Sequence, residues 1–278
     1  MQPGRPSRTA LGAARHRAVH QVLERGRIFS DPLALRILGA DAETAVRDAE
    51  RDPSRRPLRL FIAVRSRFAE DALAAAVARG VRQLVVLGAG LDTCAYRTSL
   101  GERLRIFEVD QPATQAWKRR LLADAEIPIP PALTFVPVDF ERETLAGALA
   151  GAGFDAAQQT FFTWLGVVPY LTEQAVLSTL GFIAGLSGGA HVVFDYANPP
   201  AESDPHAAGR EALAARVAAA GEAFRSDFET DALHARLAAL GFREIEDLGP
   251  AAILERYFAG KGGRPPERGG HIVRAATI

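Results

Sequence analysis

Up to about residue 80 the apolar positions recur at helical spacing; beyond it they gather into short uninterrupted runs. Thr9 to Leu23 reads as a helix. Asp31-Pro32 places a capping side chain before a proline in the first turn, and the helix through Leu33, Leu35, Ile37 and Leu38 stops at Gly39. Arg47 to Pro57 is charged and holds two prolines, so a mobile loop is expected there. Leu58 to Arg79 carries Leu60, Phe61, Val64, Phe68, Leu73 and Val77 on one face and closes at Gly80.

After Gly80, five runs are expected as strands: Leu84–Leu87, Leu104–Val109, Thr134–Val138, Thr160–Leu165 and His191–Phe194. Helices are expected near 112–125, 141–150 and 172–185. Apolar runs separated by helices predict an α/β, Rossmann-like fold whose mostly parallel sheet is covered on both faces. Arg243–Leu248 and His271–Ala275 are expected to pair as a C-terminal antiparallel hairpin, across a loop containing Gly260 to Gly270. The expected domain division is a helical cap, 1–80, integrated with a core, 81–278, which carries an Ala-rich helical insertion near 200–230.

The sequence has 278 residues, enough for a substantial core. Lys+Arg 33 balance Asp+Glu 33, so no global field draws the chain to nucleic acid or an acidic membrane. Lys118 and Lys261 are the only lysines among those bases, which with so much Ala, Arg and Gly reads as a GC-rich coding bias rather than a binding signal. The single cysteine, Cys94, excludes a disulfide framework and a cysteine-based zinc site. No run approaches the roughly 18 apolar residues of a membrane span, and no secretory signal is read in the first residues. A soluble, cytoplasmic protein is the resulting expectation.

In an open α/β sheet, ligands sit at the carboxyl ends of the strands. The first run is followed by Gly88-Ala89-Gly90-Leu91-Asp92-Thr93. Gly88 and Gly90 permit a tight turn and close backbone approach. Asp110, ending the next run, stands where a carboxylate accepts both hydroxyls of a ribose. Asp139, ending the third, could take the exocyclic amine of an adenine. Together they describe a pocket for an adenosine-containing cofactor. Turn glycines and helix-capping acids are the alternative reading. A pyrophosphate-binding fingerprint wants a third glycine where Thr93 stands, and Asp92 would repel a pyrophosphate; a sulfonium or amino group is compatible with it.

The series Arg65-Ser66-Arg67-Phe68, LGAGLDT (87–93) with Tyr96-Arg97, FEVDQP (107–112), Val138-Asp139 and Gly166-Val167-Val168-Pro169-Tyr170-Leu171-Thr172 resembles the successive motifs of the leucine carboxyl methyltransferase family. Thr9-Ala10, His20 and Phe29 to Ala34 resemble the N-terminal block of its bacterial branch. That resemblance implies S-adenosyl-L-methionine as cofactor and a class I methyltransferase fold with seven strands. It implies cofactor contacts from Arg65 or its neighbour Arg67, Gly88, Gly90, Asp92, Asp110, Gln111, Asp139, Phe140 and the backbone of Leu165. Some members carry a glutamate at the position of Leu165, so a side-chain contact is not expected there.

The function expected from the resemblance is O-methylation of a small-molecule carboxylate, with hydroxyl methylation as the alternative. A carboxylate needs no base; a hydroxyl acceptor would call on Tyr170, Asp195 or His20. The cap and the 200–230 insertion are expected as a lid over the acceptor. No nucleic acid, membrane or metal is expected: His16 and His20 lack a third ligand nearby. His191 and Cys94 are expected as packing residues. A homodimer is left open. An oxidoreductase and a non-catalytic cofactor-binding module are the rivals from other classes.

Overall fold

The computed structural model describes residues 6–100, 103–139, 143–200, 207–219, 221, 223–259 and 265–278. They form two compact units, Pro3–Phe154 and Asp155–Ile278.

The first unit opens with α1 (Arg8–Leu23), α2 (Pro32–Leu38), α3 (Ala40–Arg51) and α4 (Arg56–Ala78). Then follow β1 (Gln83–Leu87), α5 (Cys94–Arg97), β2 (Arg105–Asp110), α6 (Pro112–Asp124), β3 (Leu133–Pro137) and α7 (Leu145–Gly151). Ser7 caps α1 by accepting the Ala10 amide, and Asp31 caps α2 by accepting that of Ala34. Ala14, Ala18, Ile37 and Leu38 are buried in one cluster with Leu91 and Leu122, which joins the cap helices to the strand-bearing part of this unit.

The expected loop at Arg47–Pro57 is helical. Residues 47–51 finish α3, a 3-10 turn spans Pro53–Arg55, and α4 starts at Arg56. Pro53 and Pro57 each fall in a first turn, where the missing N–H costs no helical hydrogen bond. The charges of α3 face outward, with Ala42 and Ala45 buried.

The second unit holds β4 (Thr160–Trp164), α8 (Glu173–Ala184), β5 (Ala190–Ala197), α9 (Ala207–Ala219), α10 (Thr230–Leu240), β6 (Glu244–Leu248), α11 (Pro250–Phe258) and β7 (Gly270–Ala276). Of the expected 200–230 insertion, α9 is the helical part; residues 201–206, 220 and 222 lie outside the described residues. The expected β6–β7 loop contains α11, begun by Pro250, and its residues 260–264 lie outside the described residues.

The seven strands make one mixed sheet, as expected. The first unit supplies the parallel block β3-β2-β1. The second supplies β4-β5-β7-β6, parallel between β4 and β5 and antiparallel across β5-β7 and β7-β6. β1 and β4 are buried along their whole length, which explains their unbroken apolar character. Among the described residues no helix is long and apolar enough to cross a membrane.

Candidate cofactor site

Strand register brings the first unit's three motif ends level. Leu87 pairs with Val109 and Asp110 with Pro137, and the amide of Val138 donates to the Asp110 carbonyl at 2.9 Å. The chain beyond β1 turns at Gly88 (φ +63°) and Gly90 (φ +45°), left-handed values that disfavour a side chain. The Gly88 backbone is exposed, whereas Gly90 is buried. A Cβ on Gly90 would lie 2.9 Å from that of Ala10, so the first turn of α1 backs the loop.

Asp110 is 7% exposed and both its oxygens accept amides. Gly90 donates to Oδ2 at 2.5 Å and Gln111 to Oδ1 at 2.7 Å. A carboxylate oxygen has two lone pairs, so an acid at this strand end is of the type that can accept from a vicinal diol as well as from amides.

Beneath the loop lies a buried ionic lattice. Arg17 on α1 donates from Nη2 to the Leu91 carbonyl at 2.6 Å and from Nε to Asp31 Oδ2 at 2.9 Å. Thr93 donates to Asp31 Oδ1 at 2.7 Å, and Arg97 Nε reaches Thr93 at 3.2 Å. Arg97 also grips Glu70 of α4, with Nη1 2.8 Å from Oε2. Behind β2, Lys118 donates to Glu108 Oε2 at 2.8 Å, and Tyr96 donates to the same oxygen at 3.2 Å. Lys118 and Glu108 are each 1% exposed.

The asparagine-like short reach of Asp92 ends in the loop itself. Its Oδ1 accepts the Cys94 amide at 2.7 Å. Burial works against its charge, but Arg17, Lys118 and Arg97 outweigh burial and hold the carboxyl below its ordinary range. Burial pushes the Cys94 thiol well up, so Cys94 is an un-ionised packing residue, as expected.

The other expected cofactor residues are placed variously. Arg65 is buried on α4. Arg67, one residue beyond Ser66, is exposed and binds Asp71 with Nε at 2.8 and 2.7 Å. Asp139 is half-buried two residues past β3, its amide 3.1 Å from Glu143 Oε2. Phe140 lies outside the described residues.

His20 is 1% exposed, 3.4 Å from Glu24, whose carboxylate is also held by Arg59 at 2.9 Å. Burial, reinforced by Arg59 and Arg56, lowers its pKa despite Glu24, so the imidazole is neutral. In the second unit, Leu165 follows β4 and Gly166 donates its amide to Asp195 Oδ1 at 2.6 Å. Tyr170 packs on Phe224, ring centroids 5.3 Å apart. His191 is buried and stacks on Phe161 at 6.1 Å, a packing residue as expected. Among the described residues no cluster of three or more His, Cys, Asp or Glu side chains could hold a metal.

Sequence reasoning missed Arg17, Glu108 and Lys118 and saw Asp31 only as a helix cap. Their partners lie up to 74 residues away, as for Arg17 and Leu91. Arg17 carried no separate signal; Lys118 did, as one of two lysines in an arginine-rich chain.

The family model for leucine carboxyl methyltransferase matches residues 10–184. Among curated relatives, Bacillus subtilis YktD, named a "putative S-adenosyl-L-methionine-dependent methyltransferase", is 34% identical over 200 residues, 71% of this chain and 66% of that protein. A Frankia alni protein of the same description is 39% identical over 185 residues, 64% of each chain. This chain thus spans about two thirds of the length of these relatives. Among solved structures, a DUF574 family protein from Streptomyces avermitilis superposes with a TM-score of 0.56 at 16% identity, covering 98% of each chain, and supports the fold.

Proposed function

This chain belongs to the leucine carboxyl methyltransferase family, and from that membership we propose that it transfers a methyl group from S-adenosyl-L-methionine to a carboxylate of a small molecule. The observation that carries the reading is Asp110: a buried carboxylate at the end of β2, level with the glycine turn and hydrogen-bonded to it. The relatives' names point to the same donor.

The residues present fit that donor. Asp110 would accept the ribose hydroxyls, Asp139 the adenine amine, and Arg65 would face the methionine carboxylate. Gly88 lets the ligand approach an exposed stretch of backbone. When bound, the sulfonium supplies an electrophilic methyl group with a neutral thioether as leaving group. The chain's own contribution is then alignment and exclusion of water. A carboxylate acceptor, with a pKa near 4, is already ionised at neutral pH. Its oxygen forms the new C–O bond as the C–S bond breaks towards sulfur, and no proton moves.

A base-free reaction suits the residues that might have served as base. Asp195 already accepts the Gly166 amide, and His20 is buried, 1% exposed, in a separate ionic cluster with Glu24 and Arg59. Incubation with methyl-labelled donor and a panel of small carboxylic acids and phenols tests the reading. The expected product is an ester that releases labelled methanol in hydroxide. A base-stable methyl ether, formed from a phenol at a rate rising steeply from about pH 6 to about pH 9, overturns it.

A further inference from the structure

Three buried or half-buried cations lie around the glycine loop, and each has a carboxylate of its own. Arg17 is 2.9 Å from Asp31, Lys118 is 2.8 Å from Glu108, and Arg97 Nη1 is 2.8 Å from Glu70. Arg97 also comes within 3.5 Å of Asp31. Charge for charge, these pairs cancel. Asp92 stands apart from them: among the described residues it has no ion-pair partner, and its side-chain hydrogen bond is that from the Cys94 amide to Oδ1. Among the described residues its Oδ2 accepts no hydrogen bond.

The carboxylate is also held in place. Arg17 fixes the preceding residue through the Leu91 carbonyl at 2.6 Å, and Asp31 fixes the following one through the Thr93 hydroxyl at 2.7 Å. The Asp92 amide donates to the Ala89 carbonyl at 2.7 Å. Two residues earlier, the Gly90 amide touches Asp110 at 2.5 Å. A substituent on the 5′ carbon of a ribose held by Asp110 would lie beside the loop that carries Asp92.

Resting on the methyltransferase reading above, we propose that Asp92 makes this site prefer a sulfonium donor to the thioether product. Donor and product share an ammonium and a carboxylate and differ by one positive charge at sulfur. Arg17, Lys118 and Arg97 support the Asp92 charge only at a distance, each being paired with another carboxylate, so a cationic sulfur would add the direct partner that Asp92 lacks and lose that role once the methyl group has gone. Transfer thereby removes an attraction that held the donor, and product release is favoured by the chemistry itself. The charges facing Asp92 come from α1 (Arg17), the α2 cap (Asp31), α4 (Glu70), α5 (Arg97), β2 (Glu108) and α6 (Lys118). With three cations paired to three of those carboxylates, Asp92 carries the surplus.

The test is calorimetric titration of S-adenosylmethionine and S-adenosylhomocysteine into the wild type, Asp92→Asn, Asp92→Ser and Asp92→Glu. The quantity read is the ratio of the product's dissociation constant to the donor's. Removing the charge should lower that ratio about fivefold in the Asn and Ser variants, the size expected of one partly exposed charge pair. Ser still offers an acceptor to the Cys94 amide, so either neutral variant suffices should the other fail to fold. Asp92→Glu should keep the wild-type ratio within about twofold. An unchanged ratio in the neutral variants, whether both ligands weaken equally or neither weakens, overturns the inference and assigns Asp92 to the shared ammonium or to the fold. Failure of the wild type to bind either ligand overturns the methyltransferase reading instead.

Discussion

The Gly90 amide donates to Asp110 Oδ2 at 2.5 Å, across twenty residues of sequence. One bond thus joins the turn after β1 to the acid that ends β2. The parallel register of the two strands puts these groups level. α1 closes the arrangement from behind, because Ala10 occupies the space a side chain on Gly90 would need.

Gly90→Ala is expected to destabilise the chain by about 1–2 kcal/mol from the left-handed backbone alone. The contact with the Ala10 Cβ, 2.9 Å from the new methyl, adds to that loss. Ala10→Gly in the same chain should restore the contact part and leave the backbone part. Urea denaturation midpoints for the two single variants and the double variant measure this. A Gly90→Ala midpoint equal to wild type contradicts it.

Lys118→Met should cost about 3–5 kcal/mol, because it strands Glu108 in the interior without its cation. Glu108 Oε1 already has no hydrogen-bond partner, so the carboxylate cannot turn to another donor. Adding Glu108→Leu should recover most of the loss, since an apolar pair of similar volume replaces a buried ion pair with little penalty. Chemical denaturation of the single and double variants reads the recovery. A double variant as unstable as Lys118→Met would show that Lys118 acts through packing rather than through Glu108.

Asp247 should make stability depend on acid. Burial would raise its pKa, but bonds with His271 at 2.7 Å, His234 at 2.8 Å and Tyr196 at 2.8 Å hold it below the ordinary carboxylate range. A depressed folded-state pKa contributes stability that is present above the unfolded value, about 4, and is lost as pH falls through the folded one. Asp247→Asn should therefore be less stable than wild type by about 1–3 kcal/mol at neutral pH. The gap should narrow below about pH 4. Thermal or urea unfolding across pH measures both slopes; a gap independent of pH rules out a charge-based contribution.

The strand-end chemistry was legible because each part of it is local. A glycine pair after β1, the acid that ends β2 and an acid after β3 each close an apolar run, and strand register brings them level. The charged segment 47–57 reads as a loop because proline in a polar run suggests a break, whereas Pro53 and Pro57 each sit in a first turn where proline is tolerated. The lattice of Arg17, Asp31, Thr93 and Arg97 was hidden for a different reason. Its bonds between the helices and the loop, Asp31 to Thr93 and Arg17 to Leu91, span 62 and 74 residues, and no period or spacing encodes such a meeting. Arg67 shows the limit of adjacency: it stands two residues from Arg65, yet the helical turn sends it to the surface and onto Asp71.

The most direct measurement is the affinity of S-adenosylmethionine for Asp110→Ala and for the wild type by calorimetry. On the proposed reading the carboxylate would give the ribose its acceptors, and it accepts the Gly90 and Gln111 amides. Its removal should weaken donor binding at least about tenfold, the cost of losing a charged hydrogen-bond partner. Donor binding by Asp110→Ala as tight as that of the wild type would contradict a nucleoside held at this strand end.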